Sequence, residues 1–126
     1  MKELLKLPDA EFEVMRAVWK CGGVSVPTSV LFAYIKKGKK AQTVLTMLTR
    51  LSEKGFLSSE KCGKERLWTA TVEEDEYRTF EAKALVEKVY DGSFSVLLNA
   101  FYADKKLSAK DAQELLDWID QKTKKE

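Results

Sequence analysis

The chain has 126 residues, 44% hydrophobic and 33% charged, which suits one compact domain or a compact domain joined to a short oligomerisation segment. Histidine is absent, and Cys21 and Cys62 stand without Cys or His at ligand spacing, so zinc fingers, His-based general bases and Ser-His-Asp triads are excluded and no metal or cofactor is expected. No apolar run approaches a membrane span, the start MKELLKLPDAEF lacks a signal-peptide core, and the default expectation is a cytoplasmic protein without membrane insertion. The net charge of +2 conceals an asymmetry. Residues 1–72 hold 13 Lys and Arg against 7 Asp and Glu, a net +6; residues 73–126 hold 9 against 13, a net −4. A basic first half fits a polyanion, and the acidic second half should avoid one.

A first helix is predicted from about Asp9 to Trp19, entered at Pro8, with Asp9, Glu11 and Glu13 complementing its positive end. Phe12, Met15, Val18 and Trp19 form its core stripe. Cys21-Gly22-Gly23 breaks it, and Val24–Val26 suits a short strand. A second helix begins near Pro27 and runs to about Lys37, burying Val30 or Leu31 with Tyr34 and Ile35; Gly38 ends it. Lys36, Lys37, Lys39 and Lys40 crowd the following turn.

The third helix carries the most information. Val44, Met47, Leu48 and Leu51 repeat at helical spacing and define one buried stripe, and Gly55 supplies the stop, with Lys54 in the last turn. The other face carries Gln42, Thr43, Thr46, Thr49 and Arg50, with one carboxylate, Glu53, near the far end. An ordinary solvated face would hold more Glu and Lys. Short hydrogen-bonding side chains with an arginine suit base edges and phosphates.

Phe56 to Lys61 and Arg66 to Ala70 read as two strands around a four-residue loop, Cys62-Gly63-Lys64-Glu65. Following a reading helix, this hairpin suits a wing whose Lys61, Lys64 and Arg66 lie along a phosphate backbone. The same lysines also suit the protection of an exposed strand edge.

After Val72 the texture changes. Glu73 to Glu76 opens a helix running to about Tyr90, with Tyr77, Phe80, Ala84, Leu85 and Val89 inward. Asp91-Gly92-Ser93 breaks it, Phe94 to Tyr102 forms a very apolar helix, and Ser108 caps a last one with Ala112, Leu115, Leu116 and Ile119 at helical spacing. Three such helices cannot bury their faces among themselves. The resulting expectation is a homodimer through residues 73–126, with Phe94, Leu97, Leu98, Phe101, Leu115, Leu116, Trp118 and Ile119 at the interface.

The stretches Asp9-Ala10-Glu11-Phe12-Glu13-Val14-Met15 with Trp19, and Thr43 through Leu57, closely resemble the penicillinase-repressor family, which includes BlaI, MecI and CopY-type bacterial repressors. The similarity runs from about Leu7 to Ile119. It implies a mainly α protein with a small β-hairpin: a winged helix-turn-helix domain over 1–72, then a helical dimerisation domain over 73–126. It also implies repression by binding a dyad-symmetric operator in double-stranded DNA. Base reading then falls on Gln42, Thr43, Thr46 and Arg50, and phosphate contact on Lys39, Lys40, Lys61, Lys64 and Arg66. Gln42 departs from the Lys or Thr that often stands there, and Gln suits adenine.

In the β-lactamase members of that family, a membrane-bound sensor metallopeptidase pathway leads to cleavage of the repressor at an Asn–Phe bond. Aligning Phe101 and Leu107-Ser108 places the bond at Ala100–Phe101, with Asn99 one residue too early. The paired CxC motifs of the copper-sensing branch are absent. Two rivals complete the picture. A winged-helix adaptor would turn the same helix face toward a protein rather than DNA. An enzyme would need a nucleophile with its base, which the sequence does not supply.

Overall fold

The structure, a computed structural model, describes residues 4–35, 39–103 and 107–123. Among these, the order is α1 (Asp9–Lys20), β1 (Val26–Pro27), α2 (Thr28–Tyr34), α3 (Ala41–Glu53), β2 (Leu57–Cys62), β3 (Glu65–Ala70), α4 (Glu74–Val89), α5 (Phe94–Ala103) and α6 (Ala109–Thr123). The three strands form one antiparallel sheet in the order β1-β3-β2, with Val26 opposite Trp68 and Leu57 opposite Ala70. The chain divides into two compact units, one reaching to Glu81 and one from Ala82 onward.

Glycines end α1 and α3 by the same device. After α3, Gly55 takes φ +83°; its amide donates to the Ser52 carbonyl, and the Phe56 amide donates to the Leu51 carbonyl. After α1, Gly22 at φ +103° donates to Trp19 and Gly23 donates to Val18. Both are Schellman stops, which close orphan carbonyls and turn the chain sharply. The hairpin loop is tighter than the four residues expected. Both strands extend one residue further, Cys62 opposite Glu65, leaving only Gly63 and Lys64 between them. Gly63 supplies the positive φ of +64° that the first position of a II′ turn requires.

The first unit has a closed core. Val14, Met15 and Val18 from α1, Leu31 from α2, Val44, Leu48 and Leu51 from α3, and Phe56 and Trp68 from the sheet are all buried. The third-helix stripe is as expected, with Met47 half-buried. In α2 the expectation fails in part: Leu31 and Ile35 are buried, whereas Val30 and Tyr34 are exposed. The helix ends at Tyr34 after about two turns, and its inward side runs through Thr28 and Leu31 to Ile35 at the C-cap. Lys36, Lys37 and Gly38 lie outside the described residues, as do Lys124 and Lys125.

Tyr77 is the hub that extends this unit beyond Val72. It is 1% exposed, with its ring centroid 5.7 Å from Phe12, 5.6 Å from Phe56, 6.1 Å from Trp19 and 6.0 Å from Phe80. Its hydroxyl accepts a hydrogen bond from the Leu7 amide at 2.8 Å. Burial, with the Glu81 carboxylate beside it, pushes its pKa up to about 12. The first turns of α4 therefore belong to the N-terminal core, and the compact unit reaches Glu81 rather than stopping at 72.

In the second unit no described residue is buried. Leu85 and Val89, placed inward by sequence, are exposed. Ser108 caps α6 as expected: its Oγ accepts from the Asp111 amide at 3.0 Å, and Asp111 accepts from the Ser108 amide in return. Ser93 does the same for α5, accepting from the Val96 amide at 3.2 Å, a cap that the reading of 91–93 as a simple break overlooks.

Candidate nucleic-acid interface

Two local features and one long-range contact set the exposed face of α3. The buried stripe fixes its rotation, the Gly55 stop fixes its end, and an ion pair fixes its distal end against α1. In that pair the ammonium of Lys54, at the C-cap of α3, donates to the buried carboxylate of Glu11. Sequence reading assigned each of these residues to its own helix dipole. Glu11 falls at helical spacing with Val14, Met15 and Val18, so the stripe itself places it inward, where a carboxylate needs a partner.

With α3 held this way, Gln42, Thr43, Thr46, Thr49 and Arg50 are all exposed. Gln42, Leu45, Thr46, Thr49, Arg50 and Glu53 line one shallow hollow of about 290 Å³. Leu45 lies outside the 44-47-48-51 stripe, which was the available signal that it faces out. The first turn of α3 carries no acidic residue, and Lys40 stands at its N-cap without a side-chain cap bond. Orphan amides, a positive helix end and a lysine therefore coincide at one edge of the face, a combination that suits an anion.

The cations of the hairpin behave differently from one another. Lys61 and Arg66 are direct cross-strand partners, so two like charges oppose each other across the ladder. Such a pair costs stability unless something negative arrives. The Arg66 guanidinium also donates to Ser59 Oγ at 2.9 Å. Lys64 is exposed in the loop. Lys39 is the exception among the expected phosphate contacts, because its ammonium lies 3.5 Å from the Glu13 carboxylate and is partly neutralised.

The hairpin is anchored rather than loose. The Glu65 carboxylate accepts from the Ser29 amide at 2.8 Å and the Ser29 hydroxyl at 3.2 Å. Trp68 Nε1 donates to Thr28 Oγ1, which in turn donates to the Arg66 carbonyl. The first four residues of β3 are thereby tied to the start of α2.

The residues expected at a dimer interface are all at least partly exposed. Leu97, Leu98 and Leu115 are half-buried, and Phe94, Phe101, Leu116, Trp118 and Ile119 are exposed. Ala100 and Phe101 lie exposed within α5. Both cysteines are free, Cys21 half-buried and Cys62 exposed on the hairpin. No helix among the described residues is long and apolar enough to cross a membrane.

A helical trio whose last helix runs through a glycine stop into an antiparallel hairpin, with β1 as third strand, is a winged helix. The model of the penicillinase repressor family matches residues 7–121, and the chain belongs to that family, whose members are repressors and not enzymes. It is 28% identical over 123 residues to a penicillinase repressor of Bacillus licheniformis, covering 96% of this chain and 94% of that one. It is 29% identical over 117 residues to the methicillin resistance regulatory protein MecI of Staphylococcus aureus, covering 93% and 95%. Among solved structures, the DNA-binding domain of the repressor BlaI superposes with TM-score 0.52 at 33% identity, over 61% of this chain and 94% of that one. Monomeric Bacillus licheniformis BlaI in complex with the blaP half-operator superposes with TM-score 0.50 at 34% identity, over the same shares.

Proposed function

We propose that this chain is a sequence-specific DNA-binding transcriptional repressor that acts in the cytoplasm as a homodimer on a dyad-symmetric operator. The observation that carries the reading is the exposed face of α3. In a family of repressors, it presents amide, hydroxyl and guanidinium groups over a shallow hollow with a single carboxylate at its rim. In this reading α3 enters a major groove. Gln42, Thr43, Thr46 and Arg50 meet base edges, while Lys40, Lys61, Lys64 and Arg66 grip phosphates, with Lys39 joining when it leaves Glu13.

The exposed apolar residues of α5 and α6 support pairing through the second unit. Pairing would place two reading helices on half-sites about one helical turn apart. By kinship, relief of repression is assigned to a membrane sensor peptidase pathway acting at Ala100–Phe101. That bond lies inside α5, so its cleavage requires local unwinding first.

The test is selection of duplexes from a randomised palindromic library, followed by titration of the enriched site against salt. A dimer that neutralises about eight phosphates should give a log–log slope of roughly −7. An unenriched library, or weak and salt-insensitive binding, would replace the repressor with an adaptor that turns α3 toward a protein.

A further inference from the structure

Thr46 and Thr49 are neighbours on the exposed side of α3, and the hydroxyl protons of both are already committed. Thr46 Oγ1 donates to the Gln42 carbonyl at 2.9 Å, and Thr49 Oγ1 donates to the Leu45 carbonyl at 3.0 Å. A carbonyl oxygen has no hydrogen to give, so the single proton of each hydroxyl is the one used. Outward, these two side chains therefore present oxygen lone pairs and γ-methyl groups, without a donor. Leu45, 37% exposed, stands one turn from Thr49 and lines the same hollow. An apolar spot edged by acceptors thus sits within a helix face that otherwise reads as polar.

Building on the reading of α3 as the helix that enters DNA, we propose that Leu45, Thr46 and Thr49 recognise an A·T pair by seating the thymine methyl group. In the major groove thymine offers its C5-methyl to apolar contact, and adenine offers its N6 amino protons to an acceptor. The patch supplies both complements. Guanine offers only N7 and O6, two acceptors, which would face threonine lone pairs with no proton between them. Recognition of guanine is left to Arg50, which forms no ion pair among the described residues and keeps its guanidinium donors available. Four of the polar residues that line the hollow thereby divide: Thr46 and Thr49 select thymine, and Gln42 and Arg50 supply donors.

The experiment alters the DNA before the protein. The full chain selects its duplex from a randomised palindromic library, and each thymine of that site is then replaced singly by deoxyuridine, which removes only the methyl. One or two thymines in each half-site should lose about fourfold in affinity on replacement, the worth of one methyl group taken from water. At those positions Thr46→Ser or Thr49→Ser, which deletes the γ-methyl and keeps the hydroxyl, should bind both duplexes alike. Thr46→Val and Thr49→Val should retain the sensitivity. A selected site with no methyl-sensitive thymine overturns the proposal and leaves the repressor reading intact. So does a 7-deazaguanine penalty that the valine variants abolish, since the threonines would then be donating. Failure to select any site removes both.

Discussion

Up to Glu81, sixteen of the described apolar residues are buried around α1, α3 and the sheet, and four aromatic rings converge on that of Tyr77. From Ala82 onward none is buried, although α5 places Phe94, Val96, Leu97, Leu98 and Phe101 within ten residues. Apolar content therefore does not distinguish the two regions; closure does. The first unit has a sheet, three helices, the opening turns of α4 and a half-buried ion pair to complete its surface. The second holds the rest of α4 with α5 and α6, whose large apolar side chains are half-buried or exposed among the described residues. The first holds α3 still, and the proposed pairing through the second would supply the closure that it lacks.

The largest effect should come from breaking the closed unit at its hub. Tyr77→Ala removes a ring packed against Phe12, Trp19, Phe56 and Phe80, and should cost about 3–5 kcal/mol in a urea titration. The loss should appear in the unit that carries α3, so DNA binding should fall with it. If Tyr77→Ala left the unfolding of that unit unchanged, the assignment of the first turns of α4 to the N-terminal core would be wrong.

Next comes the open unit. Leu116→Arg puts a charge on an exposed apolar position of α6. Self-association should weaken by at least roughly 2 kcal/mol, about thirtyfold. Sedimentation should then show monomer at micromolar concentration, while the near-ultraviolet signal of the aromatic cluster stays unchanged. An undisturbed dimer would move the interface away from α6.

Smaller, and confined to recognition, is Arg50→Ala. It should cost about 1–3 kcal/mol on the selected site and relax the preference at one base pair. Lys64→Ala should instead weaken all duplexes alike and shallow the salt slope by about one. Equal losses on specific and random DNA for both variants would place Arg50 on a phosphate.

How far the sequence led differs between the same two regions. Element types and the exposed face of α3 were legible, because the 44-47-48-51 spacing and the Gly55 stop are local signals. The hairpin was legible to within a residue at each strand, and Gly63 explains the tighter loop. What periodicity did not disclose was long-range. Glu11 and Lys54 are 43 residues apart, and each had a sufficient local reading at its own helix end. Tyr77 lay beyond a change of composition at Val72, yet its ring completes a core begun at Phe12. In α2, periodicity alone could not choose between Val30 and Leu31, and the short helix buries Leu31. The committed hydroxyls of Thr46 and Thr49 are again local, but they concern hydrogen positions that spacing does not specify.

The smallest effect at neutral pH sharpens the closed unit. Tyr77→Phe keeps the ring and removes the hydroxyl that accepts from the Leu7 amide, so it should cost about 1 kcal/mol near pH 8. At alkaline pH the order should change. The phenol ionises at about 12 in the folded protein against an ordinary value of 10.0, so the unfolded chain releases its proton first. Its neutral hydroxyl contributes fully below pH 10, and that contribution is lost as pH rises from 10 toward 12. Over the whole window the loss amounts to at most roughly 3 kcal/mol. The phenylalanine variant has no such group, so its deficit should shrink above pH 10 and reverse before pH 12. Urea midpoints of both proteins at pH 8, 10 and 11 measure this directly. Parallel curves would mean that Glu81 and burial do not hold the phenol neutral.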